Sequence, residues 1–277
     1  MNKRFAWIAL LLVLSGCAGT PLRERSFQAR EAFRHASRGV ALHERGEYRS
    51  AGQEFASAYR LYAGIDDQQG MVTSLINSAR TFRQTHQHAA AERELAKVYL
   101  LQPDTALLPR ELLFEEAQLA LASGNLPLAR AKASAFLNGQ EGEASAAGHN
   151  LLAIIARQEG NLSAARQEAH TALSSITSQQ SAEAGNAHRL LGQLDTQAAH
   201  LAVAEEHFTM ALAIDRSNSN GKKIIVDLRS LAEVAGLRGN TERKQQLLRH
   251  AREVALAREE TETVREIEAL MHTTPGG

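Results

Sequence analysis

Cys17 is the residue whose type and position most clearly predict chemistry, because it is the only cysteine among the 277 residues. It follows an apolar run over residues 5–14 and the small pair Ser15-Gly16, and the basic residues Lys3 and Arg4 precede that run. A basic start, about ten apolar residues and then small residues form the layout of a secretory signal. The run is too short to span a membrane, which takes about 20 apolar residues. The sequence therefore predicts an exported chain.

The segment Leu14-Ser15-Gly16-Cys17 resembles the lipobox of bacterial lipoproteins, in which Leu, a small residue, and Gly or Ala precede the cysteine. The resemblance implies a diacylglyceryl group on the Cys17 sulfur, cleavage of the chain before Cys17 and acylation of the new amine. Apart from this covalent lipid, no cofactor is expected. Ala18, which stands where an aspartate would hold a lipoprotein at the inner membrane, favours the outer membrane. The alternative is an ordinary signal peptide that leaves the cysteine unmodified.

The anchor divides the chain into three regions. These are a lipoprotein signal peptide at residues 1–16, the lipidated cysteine with a short tether at residues 17–27, and a repeat domain at residues 28–277. A single acyl chain holds a protein only marginally, so a triply acylated Cys17 is the form that would anchor stably. The tether reaches at most about 3.5 Å per residue, which would keep the folded body close to the membrane.

Charge and composition narrow the classes of function and fold. The chain carries 31 basic and 31 acidic residues, and removal of Lys3 and Arg4 leaves the mature part slightly acidic. A nucleic-acid-binding domain needs a basic face, so we expect no nucleic acid partner. The sequence is rich in Ala, Leu, Glu, Gln and Arg, which are strong helix formers. No stretch shows sustained β-branched alternation, and the sequence therefore predicts an all-α fold.

One pattern recurs six times along the chain. A small residue is followed three positions later by an apolar one, often then by Gly-x-apolar, and then by Ala-x-x-x-apolar-x-x-apolar. The first copy has Gly39, Leu42, Gly46, Ala51 and Phe55. The positions equivalent to the alanine of that copy are Ala91, Ala129, Ala165, Ala204 and Lys244. The pattern predicts two antiparallel helices per copy, because the glycine ends the first helix and the small residue admits the second.

The pattern resembles the tetratricopeptide repeat, which places small residues on its first helix and Ala-x-x-x-Phe on its second, at a period of 34 residues. The copies here are 36 to 40 residues apart, which indicates a variety with longer helices. The resemblance implies an α-solenoid, a superhelix of about six stacked antiparallel helix pairs with a capping helix over residues 261–271. The alternative is an irregular, alanine-rich helical bundle.

Several residues with chemical potential are interpreted as ordinary surface groups. His86 and His88 could hold a metal ion, but no third ligand lies near them in the sequence. His200 and His207 flank the turn of the fifth repeat, and we expect all four histidines to be solvated. The sequence therefore predicts no metal site.

Catalytic motifs are also missing. Glu115 and Glu116 are adjacent carboxylates, but neighbouring helix residues do not face one another, so we expect both to be solvated. Residues 218–223 superficially resemble a phosphate-binding loop, yet they lack its first glycine and the Ser or Thr after the lysine. There is no Gly-x-Ser-x-Gly, no His-Glu-x-x-His and no cysteine nucleophile. The sequence predicts that the chain is not an enzyme.

The tetratricopeptide resemblance also implies a partner-binding groove on the concave side of the superhelix, lined by the first helices. The residues that fall at groove positions are Arg80, Arg83, Gln84, Gln118, Asn150, Arg157, Gln158, Asn186, Arg189, Gln193 and Arg229. This set is rich in arginine and amides and has few acids. Arginine forks and amides suit carboxylates and peptide backbone. We therefore expect an extended acidic segment or a C-terminal carboxylate there, unless these are ordinary solvated residues.

Together these features predict a membrane-anchored periplasmic lipoprotein that acts as a protein–protein interaction scaffold in the bacterial cell envelope. The expected place is the outer membrane, facing the periplasm. Analogous lipoproteins serve pilus, secretion or peptidoglycan machinery. The alternative is a lipoprotein that binds glycan, peptidoglycan or a small ligand. Sugar sites stack on aromatic side chains, and the only tryptophan, Trp7, lies in the signal. The sequence leaves the oligomeric state open.

Overall fold

The structure, a computed structural model, describes residues 26–272. The predicted signal peptide, Cys17 and nearly all of the tether lie outside the described residues. Within residues 26–272, no helix is both long and apolar enough to cross a membrane.

Helices account for all the regular structure between residues 26 and 272. They are α1 (Phe27–Arg45), α2 (Tyr48–Ala63), α3 (Gln68–Gln84), α4 (His88–Leu101), α5 (Arg110–Ala122), α6 (Leu126–Leu137), α7 (Gly142–Gln158), α8 (Leu162–Ser175), α9 (Ala182–Gln197), α10 (Leu201–Ser217), α11 (Gly221–Leu237), α12 (Thr241–Ala257) and α13 (Thr261–His272). A short 3₁₀ helix, Thr105–Leu107, precedes α5. Each odd-numbered helix from α1 to α11 packs against the next even-numbered one as a hairpin. The predicted all-α solenoid of stacked helix pairs is confirmed.

Glycine and asparagine set the turns inside the hairpins. Gly124, Gly160 and Gly239 end their helices with φ between +74° and +80°, a backbone region that favours glycine. The asparagine that follows each of them caps the next helix, because its side-chain oxygen accepts the N–H three residues on. The repeated Gly-Asn pair therefore stops one helix and starts its partner. Two hairpins place His86 and Ala199 at the left-handed position instead.

Small residues on the first helices receive large side chains from the second helices. Gly39 lies under the ring of Phe55, and Gly192 lies under the ring of Phe208 in the same manner. Both rings are buried. This contact explains the spacing of the sequence pattern, because a side chain at the small position would occupy the volume of the ring.

The two kinds of helix form two different faces of the stack. Successive first helices contact one another, as α3 contacts α5 and α7 contacts α9. None of the closely packed helix pairs within the described residues joins two successive second helices. Closer spacing of the first helices places them on the concave inner face. The second helices form the outer face, with a groove between each neighbouring pair.

Replacement of Gly192 by alanine should destabilise the protein. The new Cβ would lie 2.8 Å from Cε1 of Phe208, where real Cβ atoms are not found. Overpacking of this kind costs about 1–3 kcal/mol, more than the helix propensity gained. The matched control is Gly52→Ala, whose new Cβ would meet only the Thr81 methyl at 3.8 Å. Urea unfolding should show a lower midpoint for the first variant alone, and equal midpoints would contradict the packing argument.

Candidate binding groove

The first helices α3, α5, α7 and α9 line a cleft of about 550 Å³ on the inner face. Of the eleven residues expected at groove positions, eight line it: Arg83, Gln118, Asn150, Arg157, Gln158, Asn186, Arg189 and Gln193. Arg80 lines a neighbouring cavity beside α3, and Arg229 lines a separate one beside α11. Gln84 is exposed at the end of α3. The floor of the cleft is apolar and includes Phe114, Leu121, Leu151, Ile154 and Leu190.

Arg83 is engaged with a carboxylate that burial hides from water. Its Nε donates to Oε1 of Glu115 at 2.6 Å, and Nε of Arg80 donates to the other carboxylate oxygen at 3.2 Å. Glu115 is completely buried, so the expectation that it is solvated was wrong. Its neighbour Glu116 is mostly buried as well, against Lys132 and the Tyr99 hydroxyl. Both glutamates therefore join successive repeats through charge-assisted hydrogen bonds.

Arg189 is held between two further buried carboxylates. Its Nε donates to Asp227 at 2.6 Å, and its Nη2 donates to Asp215. Both aspartates are completely buried. Burial raises the pKa of Asp227 to about 6 although Arg189 opposes the shift, and the neighbouring carboxyl of Asp215 adds to the rise. The guanidinium of Arg189 is thus a structural partner of the α9, α10 and α11 helices.

The two asparagines of the cleft also have partners within the fold. Nδ2 of Asn150 donates to Oε2 of Glu183 at 2.8 Å, and Nδ2 of Asn186 donates to the same oxygen at 3.0 Å. Nζ of Lys223 donates to Oδ1 of Asn186 at 2.8 Å. Burial lowers the pKa of Lys223, and its neighbour Arg189 lowers it as well. The polar wall of the cleft therefore consists largely of links between repeats.

The cleft lining is rich in arginine and amides, but buried acids lie against two of its arginines. Glu115, Asp215 and Asp227 lie directly behind the arginines, and Glu183 lies in the wall itself. Their charges offset those of the guanidinium groups. The sequence set showed the arginines but missed these acids, because the acids stand at other positions of the repeat.

Arg157 remains available to a ligand. No carboxylate pairs with it in the described part of the chain, and its buried Nε makes no hydrogen bond. The side-chain oxygen of Asn150 in the same wall is likewise buried without a donor. Gln118, Gln158 and Gln193 surround the cleft with amides that are free of hydrogen bonds to other described residues. A buried polar atom without a partner is costly, so Nε of Arg157 and Oδ1 of Asn150 mark where a ligand would bond.

A pair of histidines lies outside the cleft, between α9 and α10. Nδ1 of His188 and Nδ1 of His207 are 3.1 Å apart, and both rings are about half-buried. Burial lowers the pKa of His188 to about 4, and it lowers the pKa of His207 as well. The expectation that His207 is a solvated turn residue was therefore wrong, whereas His200 is exposed. Among residues 26–272, no group of three or more His, Cys, Asp or Glu could hold a metal ion.

No protein-family model matches the sequence, and no curated protein matches it. Solved structures that superpose on most of the chain include three with TM-scores above 0.5. The APC/C hetero-tetramer Cut9–Hcn1 gives a TM-score of 0.61 at 13% identity, over 86% of this chain and 43% of the matched chain.

The other two structures match over nearly their whole length. BtubC (BKLC) from P. vanneervenii gives a TM-score of 0.57 at 17% identity, over 91% of this chain and 96% of that chain. Pseudomonas aeruginosa pilF gives 0.54 at 10% identity, over 87% of this chain and 98% of that chain. These similarities show the fold. The chain is a tetratricopeptide-like α-solenoid, and it spans less than half of the matched chain in the Cut9–Hcn1 complex.

The histidine pair should make the free energy of unfolding depend on pH. Because the pKa of His188 is lower in the folded protein than in the unfolded chain, folding is favoured above about pH 6.5 and loses stability as the pH falls towards 4. The loss should be about 1–2 kcal/mol once solvent screening at a half-buried site is allowed for. Asp227 acts in the opposite sense, because its raised pKa makes stability fall as the pH rises from about 4 to 6.

The double variant His188→Leu with His207→Leu isolates the histidines from Asp227. It introduces the pair that the sixth hairpin carries at the equivalent positions, Leu228 and Leu247. Urea unfolding at pH 7 and pH 4.5 should show a smaller acid loss for the variant than for the native chain. The same loss in both proteins would mean that the histidine pair does not titrate in this range.

Proposed function

We propose that this protein is a lipid-anchored component of the bacterial envelope that holds an extended segment of a partner protein in its inner cleft. In this proposal the lipid on Cys17 anchors the chain in the outer membrane, and the solenoid faces the periplasm as a scaffold without catalytic activity. The observation that carries the proposal is the unpaired guanidinium of Arg157, set among free amides over an apolar floor.

The chemistry of the cleft favours a peptide with a single anchoring carboxylate. Arg83 and Arg189 already satisfy buried carboxylates, so Arg157 is the cleft arginine that can offer its fork to a ligand. The side chains of Gln118, Gln158 and Gln193 can both donate to and accept from a peptide backbone. The apolar floor would bury side chains of the segment. A C-terminal carboxylate or one acidic residue fits this arrangement better than an acidic run.

The envelope setting rests on the lipobox resemblance at Leu14 to Cys17, together with the basic and apolar residues before it. The similarity to Pseudomonas aeruginosa pilF supports the choice of fold only, since the identity is 10%. We propose that the scaffold serves one of three envelope machineries, namely those for pili, secretion or peptidoglycan. The cleft has one aromatic lining residue, Phe114. That surface offers little to stack a sugar on, which disfavours the glycan-binding alternative.

Arg157→Glu should abolish capture of the partner. Affinity capture of crosslinked, lipidated protein from intact cells, read by mass spectrometry, should find stoichiometric envelope proteins with the native chain and lose them with this variant. The matched control is Arg229→Glu, because Arg229 lies outside the cleft and, among residues 26–272, forms an ion pair only with the exposed Glu266. Arg189 is unsuitable for this test, since its loss would leave two buried aspartates unpaired.

Two results would count against the groove. Capture that survives Arg157→Glu would place the partner elsewhere on the solenoid. If no protein is captured while circular dichroism shows an intact fold, and the protein sediments with purified sacculi, the glycan-binding alternative would be favoured.

Cys17→Ser should remove the protein from the outer membrane. The native chain should label with radioactive palmitate and fractionate with outer membranes, whereas the variant should carry no label and keep its signal sequence. Ser15→Ala is the control, because it keeps a small residue in the lipobox and should behave as the native chain. Palmitate labelling of Cys17→Ser would rule out Cys17 as the acylated residue. This conclusion would hold whether or not the Arg157→Glu experiment supports the cleft.

A further inference from the structure

A second cavity, of about 730 Å³, lies on the opposite face of the solenoid. It occupies the outer groove between α2 and α4, and α3 forms its floor. The apolar part of the lining includes Tyr48, Phe55, Tyr59, Leu75 and Phe82. The cavity shares no lining residue with the inner cleft.

Gly52 lines this outer groove and places no side chain in it. The equivalent residues of three later repeats are long and charged, and each forms an ion pair with the end of the following first helix. These pairs are Arg130 with Glu159, Arg166 with Asp195, and Glu205 with Arg238. These pairs place charged side chains beside three later grooves, whereas Glu92, the equivalent residue of the second repeat, lines a smaller cavity of about 300 Å³. At Gly52 the first groove has no side chain with which to form such a pair.

The fold itself does not require a glycine at position 52. Gly52 lies inside helix α2, and the nearest atom to an added Cβ would be the Thr81 methyl at an ordinary 3.8 Å. Glycine in a helix interior costs about 1 kcal/mol relative to alanine. A destabilising residue that packing does not demand indicates that the space beside it is used.

Ser78 adds a second, independent sign of a ligand. It is 9% exposed, it lines the cavity, and its hydroxyl makes no hydrogen bond to any described residue. The equivalent residues of the fourth, fifth and sixth repeats are the buried leucines Leu152, Leu191 and Leu231. The other hydroxyls of the floor, those of Ser74 and Thr81, donate to carbonyl groups of their own helix. Ser78 therefore offers a free donor in a nearly buried place.

The rim of the cavity carries net positive charge. Three cations line it, Arg49, Arg60 and Lys97, against one carboxylate, Glu94, which pairs with Lys97 at 2.7 Å. Arg49 has no ion pair with any residue of the described chain. Its end of the groove is therefore suited to an anion.

The same end is where α2 and α4 begin. Unlike α6, α8 and α12, these two helices have no side-chain cap, so their first N–H groups are not satisfied in that way. The N-terminal ends of helices attract negative charge. Gln87, the residue before α4, lines the cavity beside Arg49.

The dimensions of the cavity determine which class of ligand fits it. The lining runs along α2 from Tyr48 to Arg60, which is about 18 Å of helix. Spread over that length, the cavity has a mean cross-section of about 40 Å², so it is long and narrow. An extended peptide would fit the width, but among the floor residues Ser74 and Thr81 are bonded to α3, which leaves Ser78 as the floor hydroxyl that could pair with its backbone groups. An apolar chain without hydrogen-bonding groups meets both conditions.

We propose that the outer groove between α2 and α4 binds an anionic amphiphile, with a single hydrocarbon chain along α3 and a carboxylate or phosphate head at the Arg49 end. The Ser78 hydroxyl donates to an oxygen of the ligand near its head. The site is separate from the inner cleft, so each can be tested without the other.

The test uses the full-length protein in nanodiscs of a zwitterionic lipid, with a laurate that carries a photoreactive diazirine on its chain. Crosslinked peptides, identified by mass spectrometry, should come from α2, α3 and α4. Gly52→Leu should lower this crosslinking by at least about tenfold, because the leucine fills the apolar volume that the chain would occupy. The matched control is Ala96→Leu, which adds the same kind of bulk to the next outer groove and should leave the crosslinking unchanged.

Competition distinguishes the head group and its source. Unlabelled laurate and dodecyl phosphate should compete at lower concentration than dodecanol, and Arg49→Ala should remove that advantage. Competition by single-chain lysophosphatidylglycerol at lower concentration than laurate would identify a membrane phospholipid as the source, and the reverse order would identify a free fatty acid. Crosslinks spread evenly over all helices, an unchanged yield in Gly52→Leu with its helical fold intact, or equal competition by laurate and dodecanol would each overturn the proposal.

Discussion

The inner face of the solenoid depends on arginine–carboxylate pairs that lie away from water between successive repeats. Glu115 and Asp227 each accept hydrogen bonds from an arginine one repeat earlier, and Asp215 shares Arg189 with Asp227. Removing one partner of such a buried pair costs about 3–5 kcal/mol, because the remaining charge has lost both water and its counterion. Each pair therefore fixes the spacing and rotation of neighbouring hairpins, since a slipped stack would leave the carboxylates unpaired.

This constraint also decides which residues of the cleft can recognise a partner. A guanidinium that already forms hydrogen bonds to a buried carboxylate has little left to offer a ligand, and its charge is offset from behind. Arg83 and Arg189 are guanidinium groups of this kind. The amide nitrogen of Asn150 is likewise engaged, because it donates to Glu183. In the proposed function, recognition is left to Arg157 and the free glutamines. On that proposal the cleft selects its ligand by the placement of one negative charge.

The fold could be predicted from sequence because the information lies within each repeat. The contact of Gly192 with Phe208 joins residues of one hairpin at a fixed spacing. The roles of the cleft residues could not be predicted in the same way, because their partners come from the next repeat. The rotation between neighbouring hairpins determines which side chains come into contact. One signal was present: Glu115 stands at a position that is leucine in the next two repeats, Leu151 and Leu190. An acid at such a position needs a buried cation nearby.

Comparison between repeats of one chain separates what the fold needs from what it tolerates. All six hairpins bury the small residue and five of them bury the alanine, so those positions say nothing about ligands. The position of Gly52 accepts glycine, arginine and glutamate in different repeats, so stacking does not specify it. Gly52 weakens its helix and lines a cavity, although stacking would accept other residues there. Its presence therefore needs a physical reason other than the packing of the repeats. The inner and outer faces thus obey the same logic: the residues that stacking does not use are those left for binding.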